Sequence, residues 1–251
     1  MDALDASFSS VTRQTFNLLY LDGYRLFIQN CWTGLITPTP ALYNLRNAIT
    51  EGFIPAIYIV VVNDGATPVQ KAKEAVGDLW DQLDFVAIDV EVAGTTTEAI
   101  MDTLDLLPDK KICIYTAKWA WTSHMNDTHI FKSYPLWDAA YDSNPDIDPV
   151  NYGGWTEAIG TQYQGTTNLY GSDFDLNSFL DEWILGEDMN LEERVARLER
   201  IAGGYGYMGL TNEAALVKLD QSNISLAGSV VSMQGKEGAK ALLQTLLELL
   251  E

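Results

Sequence analysis

The stretch DFVAIDVEV, residues 84–92, decides the fold because it combines a buried strand with two acidic residues. A continuous apolar run of this kind is typical of a parallel strand that is covered on both faces. Asp89 and Glu91 interrupt the run two residues apart. Their side chains are therefore expected on the same side of the strand, roughly 6–7 Å apart at Cβ. Acidic groups at such a position require either a partner or a function.

Similar short apolar runs recur on both sides of this stretch, and helical patterns separate the first five predicted strands, of which residues 84–92 are the fourth. The runs cover residues 3–7, 25–32, 53–62, 110–116, 135–141 and 158–164. The helical patterns cover about residues 10–21, 39–51, 68–83 and 97–107, with Thr67 as the expected N-cap of the third and Pro68 as its first residue. This alternation predicts parallel βαβ units.

Five strands before residue 120 favour a closed β/α barrel over an open sheet. After residue 120 the helical pattern fades into loops rich in Asp, Asn, Pro and Gly, so the second half of the barrel is expected to be irregular. The predicted fold class is α/β, an irregular TIM-like β/α barrel followed by a small helical module.

A domain boundary is expected near Gly186, with a catalytic domain in residues 1–186 and a helical, coiled-coil-like module in residues 187–251. Beyond the boundary, Leu191, Val195, Leu198 and Ala202 form a narrow apolar stripe at helical spacing. Three roles fit such a module: a homo-oligomer formed through the C-terminal helices, attachment to a cell wall, or packing against the barrel.

Composition excludes several classes of partner. The chain has 251 residues and a formal net charge of -20, which argues against binding to nucleic acid or to an anionic membrane surface. No basic segment followed by an apolar one opens the chain, so no signal peptide is expected there. Export would then need a non-classical route or, for a phage enzyme, release from the host cytoplasm to the cell wall.

The cysteines and histidines do not predict a metal site. Cys31 and Cys113 lie in separate apolar runs, where reduced core thiols are expected. His124 and His129 lie in a polar segment away from either cysteine, without the spacing of a zinc site.

Acidic and aromatic residues recur where the predicted strands end. In a β/α barrel the carboxyl ends of the strands surround the active site. The candidate acids are Asp5, Asp89, Glu91 and Asp175, with Asp173 and Asp175 expected to end the last strand. The candidate aromatic residues are Tyr58, Tyr115, Trp137 and Tyr141.

This combination suits the hydrolysis of a glycosidic bond. One carboxylic acid protonates the leaving oxygen, a second carboxylate meets the positive charge that develops on the sugar, and aromatic rings stack on sugar rings. The alternative is structural: acids that cap loops or form salt bridges, and aromatic rings that fill the barrel.

Residues 3–183 resemble the family-25 glycoside hydrolases, the Chalaropsis-type lysozymes found in many phage endolysins. ALDAS, with Asp5, resembles the opening strand of that family, and FVAIDVE resembles its Asp-x-Glu strand. ICIYT and YPLWDAAY are similar to the two strands that follow. The closing segment, residues 153–179, contains Gln162 in TQY and an Asp-x-Asn pair at Asp175 and Asn177, although Thr161 stands where the family carries Trp.

The resemblance implies a flattened, irregular barrel that cleaves the β-1,4 bond between N-acetylmuramic acid and N-acetylglucosamine in peptidoglycan, without a metal or organic cofactor. Glu91 would be the general acid, and Asp89 would be the nucleophile or would orient the N-acetyl group of the substrate. Asp5 and Asp175 would hold the substrate. The residues expected to bind it are Tyr58, Tyr115, Trp137, Tyr141 and Gln162.

Two other functions are compatible with the same barrel: a non-catalytic glycan-binding or virion structural protein, and a glycosidase for another N-acetylated polysaccharide. The stereochemical course also stays open, because it depends on the distance between the carboxyl groups.

Overall fold

Eight strands form one closed barrel in the computed structural model, which describes residues 1–186. Neighbours in the barrel follow chain order, and the last strand closes on the first. The strands are β1 Asp2–Ala6, β2 Leu26–Trp32, β3 Ile54–Val60, β4 Phe85–Asp89, β5 Lys111–Thr116, β6 Leu136–Ala139, β7 Gly160–Leu169 and β8 Ser172–Phe179. The predicted β/α barrel is confirmed. The predicted helical module, residues 187–251, lies outside the described residues.

Helices connect the strands on the outside of the barrel. They are α1 Arg13–Leu21, α2 Ala41–Thr50, α3 Ala66–Val76, α4 Thr97–Asp105, α5 Lys118–His124 and α6 Asp181–Leu185, with a 3-10 helix at Gly77–Gln82. The four predicted helices correspond to α1–α4. The two short helices were not predicted, because helices of 7 and 5 residues are too short to show a helical period.

The start of α3 differs from the prediction. The helix begins at Ala66, ahead of the expected N-cap at Thr67. The Asp64 carboxylate accepts a hydrogen bond from the Ala66 amide at 2.9 Å and is bonded by the Thr67 hydroxyl, so it supplies the acceptor that Thr67 was expected to provide. The predicted single helix 68–83 is also divided, since Gly77, at φ 54°, ends α3 before the 3-10 helix.

The direction of β8 corrects a second expectation. Strands β1 to β7 run parallel to their neighbours in the series, whereas β8 is antiparallel to both β7 and β1. The reason is the tight turn at Tyr170 and Gly171, both at positive φ, because a hairpin joins only antiparallel strands. Asp175 therefore lies in the first half of β8 and pairs with Asp5, instead of ending the last strand. Asp173 is exposed, and its carboxylate is bonded by Asn168.

The second half of the barrel is irregular, as predicted. Residues 140–159, between β6 and β7, contain no helix, only an isolated bridge between Tyr152 and Trp155. This long connection and α5 follow the carboxyl ends of β6 and β5.

The barrel has an apolar interior below a polar upper layer. Leu26, Ile54, Phe85 and Phe179 fill the interior, and a separate apolar layer packs between the strands and the helices. Cys113 belongs to the inner layer and Cys31 to the outer one. Both are free and buried, which confirms the predicted core thiols, and burial raises the pKa of each well above its usual value. Within residues 1–186, no helix is long and apolar enough to cross a membrane.

Candidate active site

A cavity of about 140 Å³ opens at the carboxyl end of the barrel, and we call it the acid cavity. Its wall contains all nine residues that the sequence singled out. They are Asp5, Tyr58, Asp89, Glu91, Tyr115, Trp137, Tyr141, Gln162 and Asp175. Seven strands or their ends contribute to it, so the cavity depends on the closed barrel. The structure brings these residues together, and their roles stay predictions.

Asp5 is the most strongly held of the four acids. Its side chain is buried, and its Oδ2 accepts hydrogen bonds from Gln162 Nε2 at 2.6 Å and from Asn177 Nδ2 at 2.9 Å. Burial first and the nearby charge of Asp175 second raise the pKa of Asp5 to about 8, even though the two amide hydrogen bonds lower it. Asp5 therefore holds a proton near neutral pH that the unfolded chain would release.

Asp89 and Glu91 face the same cavity from different backbone environments. Asp89 is the last residue of β4, whereas Glu91 lies beyond the strand, which corrects the expectation that both belong to it. Val90 donates to the Tyr115 carbonyl at 3.0 Å, and the chain then turns through Gly94, at φ 95°. The strand ends early because this turn leads directly into α4.

The two carboxyl groups differ in burial. Asp89 is 7% exposed, and burial, then the charge of Glu91, then that of Asp5, hold its pKa well above the ordinary value. Glu91 is only partly buried, and desolvation alone raises its pKa. Asp89 Oδ1 is buried without a hydrogen-bond donor. A buried acceptor in the wall of a cavity is suited to meeting a donor on a ligand.

Aromatic side chains line the acid cavity between the carboxyl groups. The Tyr115 hydroxyl donates to Gln162 Oε1 at 2.6 Å and lies 3.1 Å from the Tyr141 hydroxyl. The Tyr115 and Trp137 rings pack with centroids 4.5 Å apart. Tyr141 was expected within the sixth strand, but it lies beyond β6 at φ 52° and is half exposed, because the chain leaves the sheet after Ala139.

Asn177 joins this network, although the sequence analysis assigned it no role. Its amide nitrogen donates to Asp5, and its Oδ1 accepts from the Trp137 indole at 3.1 Å. Hydrogen bonds thus run from Tyr115 through Gln162 to Asp5 and on through Asn177 to Trp137. The signal that marks Asn177 in the sequence is its spacing from Asp175, since alternate residues of a strand face the same side.

The described residues contain no group of three or more His, Cys, Asp or Glu side chains that could hold a metal ion. His124 ends α5 beside Trp119, and His129 lies in the following loop against Gly154.

Replacing Asp5 is expected to change the pH dependence of stability. The folded protein keeps the Asp5 proton up to about pH 8, whereas the unfolded chain loses it near pH 4, so this group's contribution to stability declines between those values. Asp5→Asn preserves an oxygen acceptor for Gln162 and Asn177 and removes the ionisation. Relative to the wild type, the variant should gain about 4 kcal/mol between pH 4.5 and 8, or roughly 8–16 °C in Tm.

Thermal unfolding of both proteins across that pH range measures the difference. Asp2→Asn, at an exposed position of the same strand, is the matched control. Parallel Tm curves for the wild type and Asp5→Asn would contradict the raised pKa of Asp5.

The chain is similar to known proteins in sequence and in fold. The model of glycosyl hydrolases family 25 matches residues 35–172, more than half of the chain. The matched range contains Asp89 and Glu91, whereas Asp5 and Asp175 lie outside it. A stretch of 68 residues, 26% of the chain, is 40% identical to Probable GH family 25 lysozyme 3 of Dictyostelium discoideum. The chain spans 14% of that relative's length.

Two solved structures share the fold. The structure of a muramidase from Acremonium alcalophilum matches with a TM-score of 0.58 and 18% identity, over 80% of this chain and 99% of that one. The CTP1L endolysin matches with a TM-score of 0.58 and 19% identity, over 80% of this chain and 69% of that one.

Proposed function

We propose, on the premise that this chain belongs to glycosyl hydrolases family 25, that its barrel is the catalytic domain of a peptidoglycan muramidase. The substrate is the β-1,4 bond between N-acetylmuramic acid and N-acetylglucosamine. One observation carries the proposal: four carboxyl groups, on β1, β8 and the end of β4, meet aromatic rings in a single cavity at the carboxyl end of the barrel. Carboxyl groups that converge in one cavity with raised pKa values are typical of a catalytic site.

Glu91 is the proposed general acid. Its pKa is raised and it is partly exposed, so it retains a proton and remains accessible to a bound glycan. Glu91 gives that proton to the glycosidic oxygen as the bond to C1 breaks. Water later adds at C1, and its proton returns to the Glu91 carboxylate.

Asp89 is proposed to stabilise the positive charge that develops at C1. It does so either by attacking C1 as a nucleophile or by orienting the acetamido group of the substrate. The free Oδ1 acceptor favours orientation, since an acetamido group presents an N–H donor. Asp5 and Asp175 tune the electrostatics of the acid cavity. The aromatic residues and Gln162 bind the sugar.

Digestion of purified peptidoglycan tests the reaction. New reducing ends are reduced with borohydride and identified by mass spectrometry. A muramidase yields N-acetylmuramitol, whereas N-acetylglucosaminitol would assign a different bond. Glycan binding without any new reducing ends would favour a non-catalytic protein on the same barrel.

The proposal extends to a phage endolysin that acts on the wall of its host from inside the cell. Support comes from the shared fold of the CTP1L endolysin. Cells that express the protein should lyse when their membrane is permeabilised, and cells that express a catalytically inactive variant should not. Equal lysis of both cultures would contradict an endolysin role.

A further inference from the structure

A second and larger cavity, of about 550 Å³, lies beside the acid cavity. We call it the α5 cleft, because it is lined by the first residues of α5, the end of β6 and residues 149–152. Trp137 and Tyr141 line the acid cavity, and Asp138 between them lines the α5 cleft, so the end of β6 separates the two. Burial first, then Asp138 and last the charge of Glu91 raise the pKa of Tyr152, which lines the cleft, so the proposed acid is within electrostatic reach of the cleft.

The two volumes indicate that the substrate extends beyond the acid cavity. Ligand sites usually measure about 300–1,000 Å³. The acid cavity, at about 140 Å³, is below that range, whereas the α5 cleft, at about 550 Å³, lies within it. When a glycan is cleaved beside Glu91, the α5 cleft can therefore hold the substituents of that glycan that the acid cavity is too small to contain.

The chemistry of the α5 cleft differs from that of the acid cavity. Among the described residues, Lys118 is the one cation in the walls of the two cavities, and its Nζ donates to Asn151 Oδ1, a neutral partner, at 2.6 Å. Asp138, the carboxylate in the cleft, accepts from the Tyr152 hydroxyl at 2.5 Å. Trp119, 60% exposed, and Val150 supply apolar surface.

This arrangement fits an anionic ligand with small apolar groups better than a sugar. The α5 cleft carries hydrogen-bonding groups on Thr122, Asn151 and Tyr152, but it also carries a cation, Lys118, that the acid cavity lacks. Within residues 1–186 the Lys118 ammonium group forms no salt bridge, although its charge also acts on Asp138. An exposed ammonium group of this kind is suited to a carboxylate on a ligand.

We propose that the α5 cleft binds the carboxylate-bearing peptide that peptidoglycan carries on its muramic acid, with Lys118 as the residue that recognises the carboxylate. The inference rests on the proposed function and deepens it, because the enzyme would recognise the peptide as well as the glycan. Small side chains of the peptide would contact Val150 and Trp119.

Soluble glycan fragments test the inference, used either with their peptides or after an amidase has removed them. Lys118→Met should raise KM for the peptide-bearing fragment about tenfold and leave its kcat unchanged. The same variant should cleave the stripped fragment like the wild type. Lys132→Met, which removes an exposed cation outside both cavities, is the matched control and should behave like the wild type on both substrates.

Two outcomes would overturn the inference. An equal rise in KM for both fragments would make the α5 cleft a sugar site, and no change for either would leave Lys118 without a role in binding. Binding of the free peptide, followed by tryptophan fluorescence, separates this inference from the proposed function. If the wild type cleaves neither fragment but binds the peptide through Lys118, the α5 cleft is a peptide-binding site and the muramidase proposal fails.

Discussion

Glu91→Gln should lower kcat for peptidoglycan hydrolysis by roughly 10²–10⁴-fold and leave the fold intact, because general acid catalysis contributes about that factor. Gln occupies the same volume but has no proton to give. The partial exposure of Glu91 predicts little change in Tm. Reducing-end release by the two purified proteins measures the effect.

The pH profile of the wild type provides a second measurement. An acid catalyst works while it is protonated, and desolvation raises the pKa of Glu91, so activity should persist above the ordinary range of Glu and fall as the pH passes the raised pKa. Glu157→Gln, an exposed loop substitution outside both cavities, should match the wild type. Full activity of Glu91→Gln would assign the acid to another carboxyl group.

Asp89→Asn should lower kcat by roughly 10²–10³-fold, the usual cost of removing one group that stabilises charge in the transition state. The expected loss reflects orientation of the acetamido group: Asn keeps an oxygen acceptor in place but cannot ionise when positive charge develops on the sugar. Because Asp89 is buried with a strongly raised pKa, removing its ionisation should also increase Tm near neutral pH. Kinetics and thermal unfolding of the same preparation measure both effects.

Added azide distinguishes the two proposed roles of Asp89. If Asp89 forms a covalent bond to the sugar, azide should restore turnover of Asp89→Asn and give a glycosyl azide, and the loss without azide should be far larger, about 10⁴-fold or more. We expect no glycosyl azide. Its appearance would make Asp89 the nucleophile.

The order of strands and the acids at their ends are readable from the sequence because both are local. An apolar run followed by an acidic residue, as at Asp89, marks the carboxyl end of a buried strand wherever it occurs in the barrel. Alternation of such runs with helices predicts that neighbouring strands are parallel. The carboxyl ends of such strands necessarily meet. The prediction of one shared cavity therefore needed no information about individual contacts.

Direction and pairing were harder to predict. The apolar pattern of a strand is the same in either direction, so only the Tyr170–Gly171 turn could have indicated that β8 runs antiparallel. The cap at Asp64 was missed because Thr67 and Pro68 form a stronger local signal. The role of Asn177 depends on contacts with Asp5 and Trp137, which are distant in the sequence.

The pairing of β8 with β1 has a consequence for synthesis on the ribosome. The hydrogen bond between Asn177 and Asp5 spans 172 positions, and that between Gln162 and Asp5 spans 157. Such contacts form late, since the chain must close a very long loop before they contribute any stability. A nascent chain that stops short of β8 lacks Asp175 and leaves Asp5 without Asn177. The protein is therefore expected to have no hydrolytic activity on glycans until its last barrel strand has emerged from the ribosome. Premature termination should then yield inactive fragments instead of weakly active enzymes.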